Sequence, residues 1–432
     1  MSDDATGITA LLARRERLLG AGSPLFYDEP LHIVRGEGVW LYDAGGRRYL
    51  DCYNNVPHVG HCHPVVVEAL SRQAATLNIH TRYLHETILD YSERLLATFD
   101  DSLDKILYVC TGSEANDQAL RIARHATGGQ GIICTNLTYH GNTTAVDAIS
   151  PLFYGKATPQ PDVRTIPYPD SYRPPDGRSG AALADFYVDA VAAAIDSFQS
   201  AGVRFAGMIV CSIFANEGLP DVPPGFLNRA VELVHAAGGL FIADEVQAGF
   251  GRSGRMWGHQ LMGFTPDIVT MGKPMGNGHP IAALVARGDL IEQFRRDVMY
   301  FNTFGGNPVS CAVAGAVLDV MECDGLIEHA RDIGDYVRAR FQGLAERHPL
   351  IGDIRGHGLW IGVELVRDRA NKTPATEETR RIVNRMKERG ILMNRIGEFD
   401  NVLKMRPPLP FAREHADLLI ETIDDVMGET EG

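Results

Sequence analysis

The feature that most restricts the fold of this sequence is a pair of short apolar runs, each leading to a charged residue. Residues 240–243 (LFIA) are strand-like and are followed directly by Asp244. Residues 267–271 (DIVTM) are largely β-formers and lead to Lys273. If the two runs are neighbouring parallel strands, Asp244 and Lys273 lie at the same edge of a sheet, because the carboxyl ends of parallel strands meet there. Ligands of α/β proteins bind at that edge.

A carboxylate and an amine that converge at a sheet edge suit pyridoxal phosphate. This cofactor needs a lysine that forms a Schiff base with its aldehyde, and an acid that keeps its ring nitrogen protonated. For an isolated pair of such residues, the alternative is a strand-end acid and a surface lysine. The sequence therefore predicts a cofactor site only if further residues support it.

Two competing phosphate motifs are weak. Residues 249–254 (GFGRSG) match the dinucleotide pattern G-x-G-x-x-G, but two acids come just before them and no long apolar-periodic helix follows. Lys273 does not belong to a P-loop, because Asp267 stands where that motif requires its first glycine and Pro274 replaces its Ser or Thr.

A second segment predicts a phosphate site. Residues 106–110 read as a strand, and residues 111–116 (TGSEAN) then open a helix. A helix start of this kind presents N–H groups and a hydroxyl at the positive end of the helix dipole. The alternative is an ordinary serine at a helix start. Tyr139 follows a further strand, 132–134, and supplies an aromatic side chain that suits the face of a flat ring.

The composition indicates an acidic protein with a sizeable core. The chain has 432 residues, 45% of them hydrophobic, and a net charge of −14, which argues against nucleic acid and anionic membranes as partners. Any anion site must therefore be a local arrangement of cations and N–H groups. Seven scattered cysteines indicate a reduced, cytoplasmic protein, and we expect neither a signal peptide nor a membrane span.

The order of the predicted elements gives the fold class. Strands and helices alternate from about residue 105 to 285, which is typical of a mainly parallel sheet in an α/β protein. Residues 31–50 predict a hairpin or small meander, and residues 155–185 a surface excursion rich in Pro, Gly and Tyr. We expect a large domain, 61–324, and a small discontinuous α+β domain made of 1–60 and 325–432.

The loop 51–64 (DCYNNVPHVGHCHP) is crowded with histidines and raises the question of a metal site. Its candidate ligands are His58, His61, Cys62 and His63. Adjacent ligands such as Cys62 and His63 diverge in most backbone conformations, and zinc sites prefer spaced pairs. We therefore expect no metal.

Taken together, these segments resemble the class III aminotransferases, which are pyridoxal-phosphate enzymes of fold type I. The likeness covers nearly the whole chain and is specific, because several motifs occur in order and at the family's spacing. They are residues 111–116 (TGSEAN), 139–141 (YHG), 244–249 (DEVQAG), 272–273 (GK) and 302–308 (NTFGGNP).

The resemblance implies a role for each of these positions. Lys273 would form the Schiff base with the cofactor, and Asp244 would pair with its pyridine nitrogen. Gln247 would reach the ring hydroxyl, and Val246 and Tyr139 would pack on the two faces of the ring.

The resemblance also implies how the cofactor's phosphate is held. Gly112 and Ser113 would bind it, and Thr303 would contact the same phosphate from the partner subunit. We therefore expect a homodimer with shared active sites, with a dimer of dimers as the alternative assembly.

Within the family, the chain most resembles the ethanolamine-phosphate phospho-lyase subgroup, through residues 49–64, 271–280 and 352–356. Where many family aminotransferases read roughly E-P-x-Q-G-E-G-G, this chain reads CSIFANEG at 211–218. Asn216 thus stands at the second glutamate, which gates an arginine in dual-substrate aminotransferases. Arg406 lies at the position of that arginine, and Glu217 is the alternative gate, displaced by one residue.

Two enzyme activities follow from the resemblance. The first is a phospho-lyase that acts on O-phosphoethanolamine or a similar phosphorylated amine. The second is an aminotransferase that moves an amino group from a primary amine or amino acid to pyruvate or 2-oxoglutarate. A non-catalytic relative would lack the lysine or the aspartate, and this sequence keeps both. The candidate substrate-binding residues are Asn54, Asn55, Arg82 and Arg406.

Overall fold

The computed structural model describes residues 3–153 and 160–431. Its helices are α1 (Asp3–Leu19), α2 (Pro64–Thr76), α3 (Glu86–Leu96), α4 (Gly112–Thr127), α5 (Thr144–Asp147), α6 (Gly180–Ser200), α7 (Phe226–Ala236), α8 (Gly258–Met262), α9 (Gly288–Asp297), α10 (Pro308–Cys323), α11 (Leu326–Ala345), α12 (Thr376–Glu388) and α13 (Arg413–Glu431). Single 3₁₀ turns occur at Pro151–Phe153 and Pro175–Gly177. None of the described helices is both long enough and apolar enough to span a bilayer.

The strands belong to three sheets. They are β1 (Ile33–Glu37), β2 (Trp40–Asp43), β3 (Arg48–Asp51), β4 (Lys105–Val109), β5 (Gly131–Thr135), β6 (Val163–Ile166), β7 (Phe205–Cys211), β8 (Leu240–Asp244), β9 (Ile268–Met271), β10 (Ala282–Ala286), β11 (Ile351–His357), β12 (Trp360–Asp368), β13 (Thr373–Pro374), β14 (Ile391–Leu392), β15 (Asn394–Ile396) and β16 (Val402–Met405).

Within the described residues, the central sheet has seven strands in the order β4-β10-β9-β8-β7-β5-β6. Only β10 runs antiparallel to its neighbours, so the predicted mainly parallel α/β sheet is confirmed. Strands β8 and β9 are adjacent and parallel, with Asp244 opposite Thr270. Asp244 and Lys273 therefore follow neighbouring strands at one edge of the sheet, as the two apolar runs predicted.

Helix α4 packs against this sheet through a largely apolar face. The predicted stripe is fully buried at Ala115, Ala119, Ile122 and Ala123. The helix begins with a capping box, in which the Thr111 hydroxyl accepts from the N–H of Glu114 at 3.2 Å and the Glu114 carboxylate accepts from the N–H of Thr111 at 2.9 Å. This cap fixes the start of the helix at the carboxyl edge of the sheet.

The other two sheets come from the ends of the chain. Strands β1-β2-β3-β14 form one, which confirms the predicted meander at 31–50, and β11-β12-β16-β15 form the other, with β13 beside β12. Strand β14 pairs with β3 and so joins the two ends of the chain. We propose the division into a large domain, 61–324, and a small domain, 1–60 and 325–432. Residues 1, 2 and 432 lie outside the described residues.

One segment differs from the prediction. Residues 160–185 are not only a surface excursion: β6 adds an edge strand next to β5, and α6 begins at Gly180. Strand β6 has four residues, and only Val163 and Ile166 in it are buried, so its local sequence signal is weak. Its pairing with β5 stabilises it. Residues 155–159 of the predicted excursion lie outside the described residues.

Candidate active site

Asp244 is buried at the end of β8, and its carboxylate is fixed by hydrogen bonds. Oδ1 accepts from the N–H of Val246 at 2.9 Å, and Oδ2 accepts from Asn116 Nδ2 at 3.0 Å and from His140 Nδ1 at 2.6 Å. Asn116 is itself held, because its Oδ1 accepts from the Thr270 hydroxyl at 2.6 Å. The residue types and their spacing thus fix the carboxylate at the sheet edge.

Sequence reasoning assigned no role to His140 and Asn116. Both lie inside motifs that it singled out, 139–141 and 111–116, and the polar side chain of each was the available signal.

Lys273 lies just beyond β9, and its surroundings favour the neutral amine. Burial lowers the pKa of Lys273, the charge of Asp244 opposes this shift, and the charge of Arg406 adds to it. A lysine with a lowered pKa carries more of the neutral, nucleophilic amine near neutral pH.

The start of α4 packs against the segments around it so closely that two positions require glycine. A Cβ on Gly112 would stand 2.7 Å from Val246 Cγ1, and a Cβ on Gly141 would stand 2.4 Å from Ser113 Oγ. The Ser113 hydroxyl donates to Asn142 Oδ1 at 3.0 Å and accepts from the N–H of Asn142 at 3.1 Å. The first N–H groups of α4, which have no partner inside the helix, therefore face a narrow space lined by Gly112, Ser113 and Gly141.

Tyr139 and Thr303 have different surroundings within one chain. The Tyr139 ring is half-buried and packs edge-to-face against Phe153, with the ring centroids 5.0 Å apart. Thr303 is exposed, in a turn whose N–H groups at Phe304 and Gly305 donate to Asn302 Oδ1 at 3.1 and 2.8 Å. The turn thus presents Thr303 outward.

A chain of hydrogen bonds leads from Gln247 to Arg406. Gln247 Nε2 donates to Asn216 Oδ1 at 3.4 Å, and Gln247 Oε1 accepts from Arg406 Nη1. Arg406 Nε donates to the carbonyl of Tyr53 at 2.9 Å. Burial lowers the pKa of Arg406. Among residues 3–153 and 160–431, no carboxylate forms a salt bridge with Arg406, so its partners are neutral.

The structure distinguishes Asn216 from Glu217. The buried Glu217 carboxylate accepts from the Thr135 hydroxyl at 2.6 Å and from the N–H of Asn216 at 3.0 Å, and it does not pair with Arg406. Asn216 instead is connected to Arg406 through Gln247. In this conformation the displaced glutamate therefore makes no ion pair with Arg406, and the amide of Asn216 is the side chain that is connected to Arg406.

The remaining candidate substrate residues differ in their burial and in their hydrogen-bond partners. Both carboxylate oxygens of Asp51 accept from Asn54 Nδ2 at 3.1 Å, so Asn54 is engaged. Asn55 is buried, and its Nδ2 has no hydrogen-bond partner in the described chain. Arg82 is exposed, with its guanidinium carbon 3.7 Å from the centroid of the Phe301 ring. Within one chain, the structure does not bring Arg82 together with the residues around Lys273.

Two of the histidines in residues 51–64, His58 and His61, have other partners, whereas the buried Nδ1 of His63 has no hydrogen-bond partner in the described chain. His58 Nε2 contacts the carbonyl of Phe250, and His61 Nε2 donates to Asp51 Oδ2 at 2.7 Å. In the described parts of the chain, no group of three or more His, Cys, Asp or Glu side chains is arranged to hold a metal ion.

Comparison with known proteins identifies the family. The family model "Aminotransferase class-III" matches residues 26–427. An alanine–glyoxylate aminotransferase 2-like protein of Drosophila melanogaster is 40% identical over 423 residues, which are 95% of this chain and 85% of that protein. The ethanolamine-phosphate phospho-lyase homolog 1 of Caenorhabditis elegans is 38% identical over 434 residues, with 96% of this chain and 93% of that protein covered.

A solved structure is also very similar. The phospholyase from Arthrobacter in complex with phosphoethanolamine has a TM-score of 0.94 and 45% identity, and the match covers 97% of this chain and 99% of that one. The chain belongs to the class III aminotransferase family, and it has the α/β fold of the fold type I enzymes. Its cofactor is pyridoxal phosphate. The fixed carboxylate, the lysine with a lowered pKa and the glycine-lined helix start fit that cofactor.

Proposed function

We propose that this protein is a phospho-lyase that eliminates phosphate from O-phosphoethanolamine, or a similar phosphorylated amine, to give an aldehyde, ammonia and phosphate. The observation that carries the proposal is the environment of Arg406, which is buried with neutral hydrogen-bond partners and, in the described parts of the chain, forms no salt bridge with a carboxylate. A gated arginine serves enzymes that alternate between two substrates. A lyase has one substrate and no second half-reaction, so it needs no gate.

The charge of the site supports an anionic substrate. In addition to burial, the charge of Arg406 lowers the pKa of both Lys273 and Lys404. Asp244 opposes this shift at Lys273, Glu217 opposes it at Lys404, and the charge of Asp51 acts against burial to raise the pKa of Arg406. The chain as a whole carries a net charge of −14, so the guanidinium of Arg406 is a local positive charge in an acidic protein. A phosphate dianion is bound best by arginine and by several N–H donors. Arg406 and the unpaired amide of Asn55 are the proposed donors, and Asn54 shapes the loop beside them.

The cofactor site is proposed from the same geometry. Lys273 would bind the cofactor, Asp244 would pair with its ring nitrogen, and Gln247 would contact the ring hydroxyl. When bound, pyridoxal phosphate supplies an aldehyde that captures the substrate amine and a ring that accepts electrons. Nζ of Lys273 would then take the proton from the carbon that bears the amine, since its lowered pKa leaves the amine free to act as a base.

Other residues would hold the cofactor in place. Val246 and Tyr139 would cover its two faces, and Gly112 and Ser113 would bind its phosphate through the start of α4. The exposed Thr303 would bind the phosphate of the other subunit's cofactor.

A homodimer with shared sites follows as part of the proposal. Leu84 is 100% exposed and Met299 is 91% exposed, and they lie on the same two segments as Arg82 and Thr303. Fully exposed large apolar side chains beside a functional loop indicate a surface that another protein covers. Because Arg82 packs on Phe301, it would accompany Thr303 to the partner's site. A cytoplasmic location, expected from the cysteines, stays a prediction.

The second candidate function is an aminotransferase that moves an amino group from a primary amine or amino acid to pyruvate or 2-oxoglutarate. The observation that favours it is the 40% identity to an alanine–glyoxylate aminotransferase 2-like protein.

One assay separates the two activities. The enzyme is incubated with O-phosphoethanolamine without a keto acid, and phosphate and acetaldehyde are measured. Separately, it receives alanine, 4-aminobutyrate or a simple amine with pyruvate or 2-oxoglutarate, and amino-group transfer is measured. Release of phosphate without a keto acid supports the lyase. Transfer without any release of phosphate refutes it.

A further inference from the structure

The loop that follows β7, residues 214–219, is strained at both ends. Phe214 and Leu219 are buried, bulky residues with φ angles of +49° and +57°, in the left-handed region that such side chains rarely adopt. Backbone strain of this kind persists only where the surroundings hold it, and it occurs most often at functional sites. Asn216 and Glu217 lie between the two strained positions.

Two basic side chains from the sheet β11-β12-β16-β15 hold this 214–219 loop. Lys404 Nζ, on β16, donates to the carbonyl of Ala215 at 2.8 Å, and Arg355 Nε, on β11, donates to the carbonyl of Gly218 at 2.9 Å. The two bonds are made on either side of Asn216 and Glu217. The strained segment that carries the gate position is therefore clamped by another part of the fold.

The two side chains that hold the loop, Arg355 and Lys404, differ in their ionic partners. Arg355 forms salt bridges with Asp353 at 2.9 Å and with Glu364 at 2.7 Å. Lys404 is just as buried, at 2% exposure, yet in the described parts of the chain no carboxylate lies within salt-bridge distance of it. Burying a lysine amine is costly unless it is hydrogen-bonded, and the bond from Lys404 goes to the carbonyl of Ala215. The contact with the 214–219 loop is therefore what holds this buried side chain.

Lys404 also stands in a defined relation to Arg406. The two residues are separated by one position in an extended segment, so their side chains leave the same face. Burial lowers the pKa of Lys404, the charges of Arg406 and Lys273 lower it further, and that of Glu217 opposes them. Lys404 thus faces both the arginine and the loop whose Asn216 is linked to that arginine through Gln247.

We propose that Lys404 is a positioning residue: it fixes the 214–219 loop so that Asn216 stays bonded to Gln247 and Arg406 remains available to the anionic group of the substrate. The inference rests on the anion-binding role of Arg406 in the proposed function. It makes Lys404 a determinant of specificity at that site without contact between Lys404 and the substrate.

The test is a double-mutant cycle on the cofactor-loaded enzyme, with inorganic phosphate as the probe. Binding is followed by the fluorescence of Trp360, whose ring lies 5.2 Å from Lys404 Nζ and 5.7 Å from the guanidinium carbon of Arg406, and by the visible absorption of the cofactor. Lys404→Met and Asn216→Ala should each raise the Kd for phosphate at least tenfold. The double variant should bind phosphate no more weakly than the single variant with the higher Kd. The reason is that both changes act through the same contact, the one between Asn216 and Gln247.

A matched control separates positioning from general stability. Lys387 is also a buried lysine, at 5% exposure, and it contacts Glu29. Lys387→Met should lower the melting temperature without changing the Kd for phosphate. If Lys404→Met does not fold, Lys404→Gln takes its place in the same cycle.

Three results would overturn the inference. The first is an unchanged Kd in the Lys404 variant. The second is a Kd in the double variant that is raised by the product of the two single factors. The third is a wild type that binds neither phosphate nor acetate. The cycle is repeated with acetate. If the enzyme binds carboxylates but not phosphate, the acetate measurements test the role of Lys404. A wild type that binds phosphate but releases none from O-phosphoethanolamine refutes the proposed function alone.

Discussion

His140 Nδ1 lies 2.6 Å from Asp244 Oδ2, and both side chains are buried. The imidazole is held in turn, because its Nε2 lies 3.1 Å from the Thr138 hydroxyl. Asp244 is therefore oriented by a residue that lies on a different loop, after β5. Pyridoxal-phosphate chemistry depends on a carboxylate at a fixed position, so the histidine should influence the cofactor even without touching it.

His140→Ala should shift the visible absorption of the bound cofactor and lower kcat by about tenfold to a hundredfold, the usual cost of removing a hydrogen bond to a buried charge. Absorption spectra and steady-state kinetics measure the two effects. The control is His235→Ala, which removes a similar contact, with Asp267 at 2.8 Å, at the opposite end of β9. Equal effects of the two changes would mean that His140 serves only the fold.

Lys273 is the predicted attachment point of the cofactor. Borohydride reduction followed by peptide mapping should place the cofactor on Lys273, and on neither of the buried lysines Lys387 and Lys404. Lys273→Ala should lower turnover by about a thousandfold or more, because it removes both the attachment point and the general base. A label on another lysine would contradict this assignment.

Much of this site was predictable because its signals are local. The two apolar runs that end at Asp244 and Lys273, and the strand followed by a helix start at Gly112, each lie within a few residues of sequence. They placed the carboxylate, the amine and the helix start at one edge of a parallel sheet, as the structure has them.

The surroundings of Arg406 were not predictable from local sequence. They depend on contacts such as that between Lys404 and the carbonyl of Ala215, which are 189 positions apart. The sequence placed Asn216 at the gate position and left Glu217, displaced by one residue, as the alternative. Only the fold shows that the carboxylate of Glu217 turns to Thr135. Strand β6 was missed for the same reason, since its pairing with β5 is what stabilises it.

Dimer formation should depend on the exposed apolar residues beside Thr303. Leu84→Glu, at a fully exposed position, should weaken self-association by at least about tenfold, because a charge buried in an interface without a partner is strongly unfavourable. Sedimentation or size-exclusion chromatography measures this. Leu418→Glu, at an exposed leucine on α13, is the control and should leave the assembly unchanged. A monomeric Leu84→Glu variant with full activity contradicts the shared sites.

His58 makes stability depend on pH. Burial, and then the charge of Arg252, hold its pKa well below the ordinary 6.5. Below pH 6.5 the unfolded chain therefore binds a proton at His58 that the folded chain does not. The contribution of His58 to the free energy of unfolding is fully present above this pH and is lost as the pH falls. Urea midpoints at pH 7.5 and 5.5 should show a smaller loss for His58→Gln than for the wild type. Equal losses would show that other groups cause the dependence.

Restoring a carboxylate at position 216 should block Arg406. Asn216→Glu places a carboxylate at the position from which Asn216 reaches Arg406 through Gln247. An ion pair between this glutamate and Arg406 would compete with the substrate, because buried charge-assisted bonds are strong. The variant should therefore raise the KM for O-phosphoethanolamine by at least about tenfold with a smaller change in kcat. Glu217→Gln is the matched control, since Glu217 faces Thr135 and should affect KM little. An unchanged KM in Asn216→Glu, or an equal rise in both variants, would show that the neutral surroundings of Arg406 do not govern recognition of the substrate.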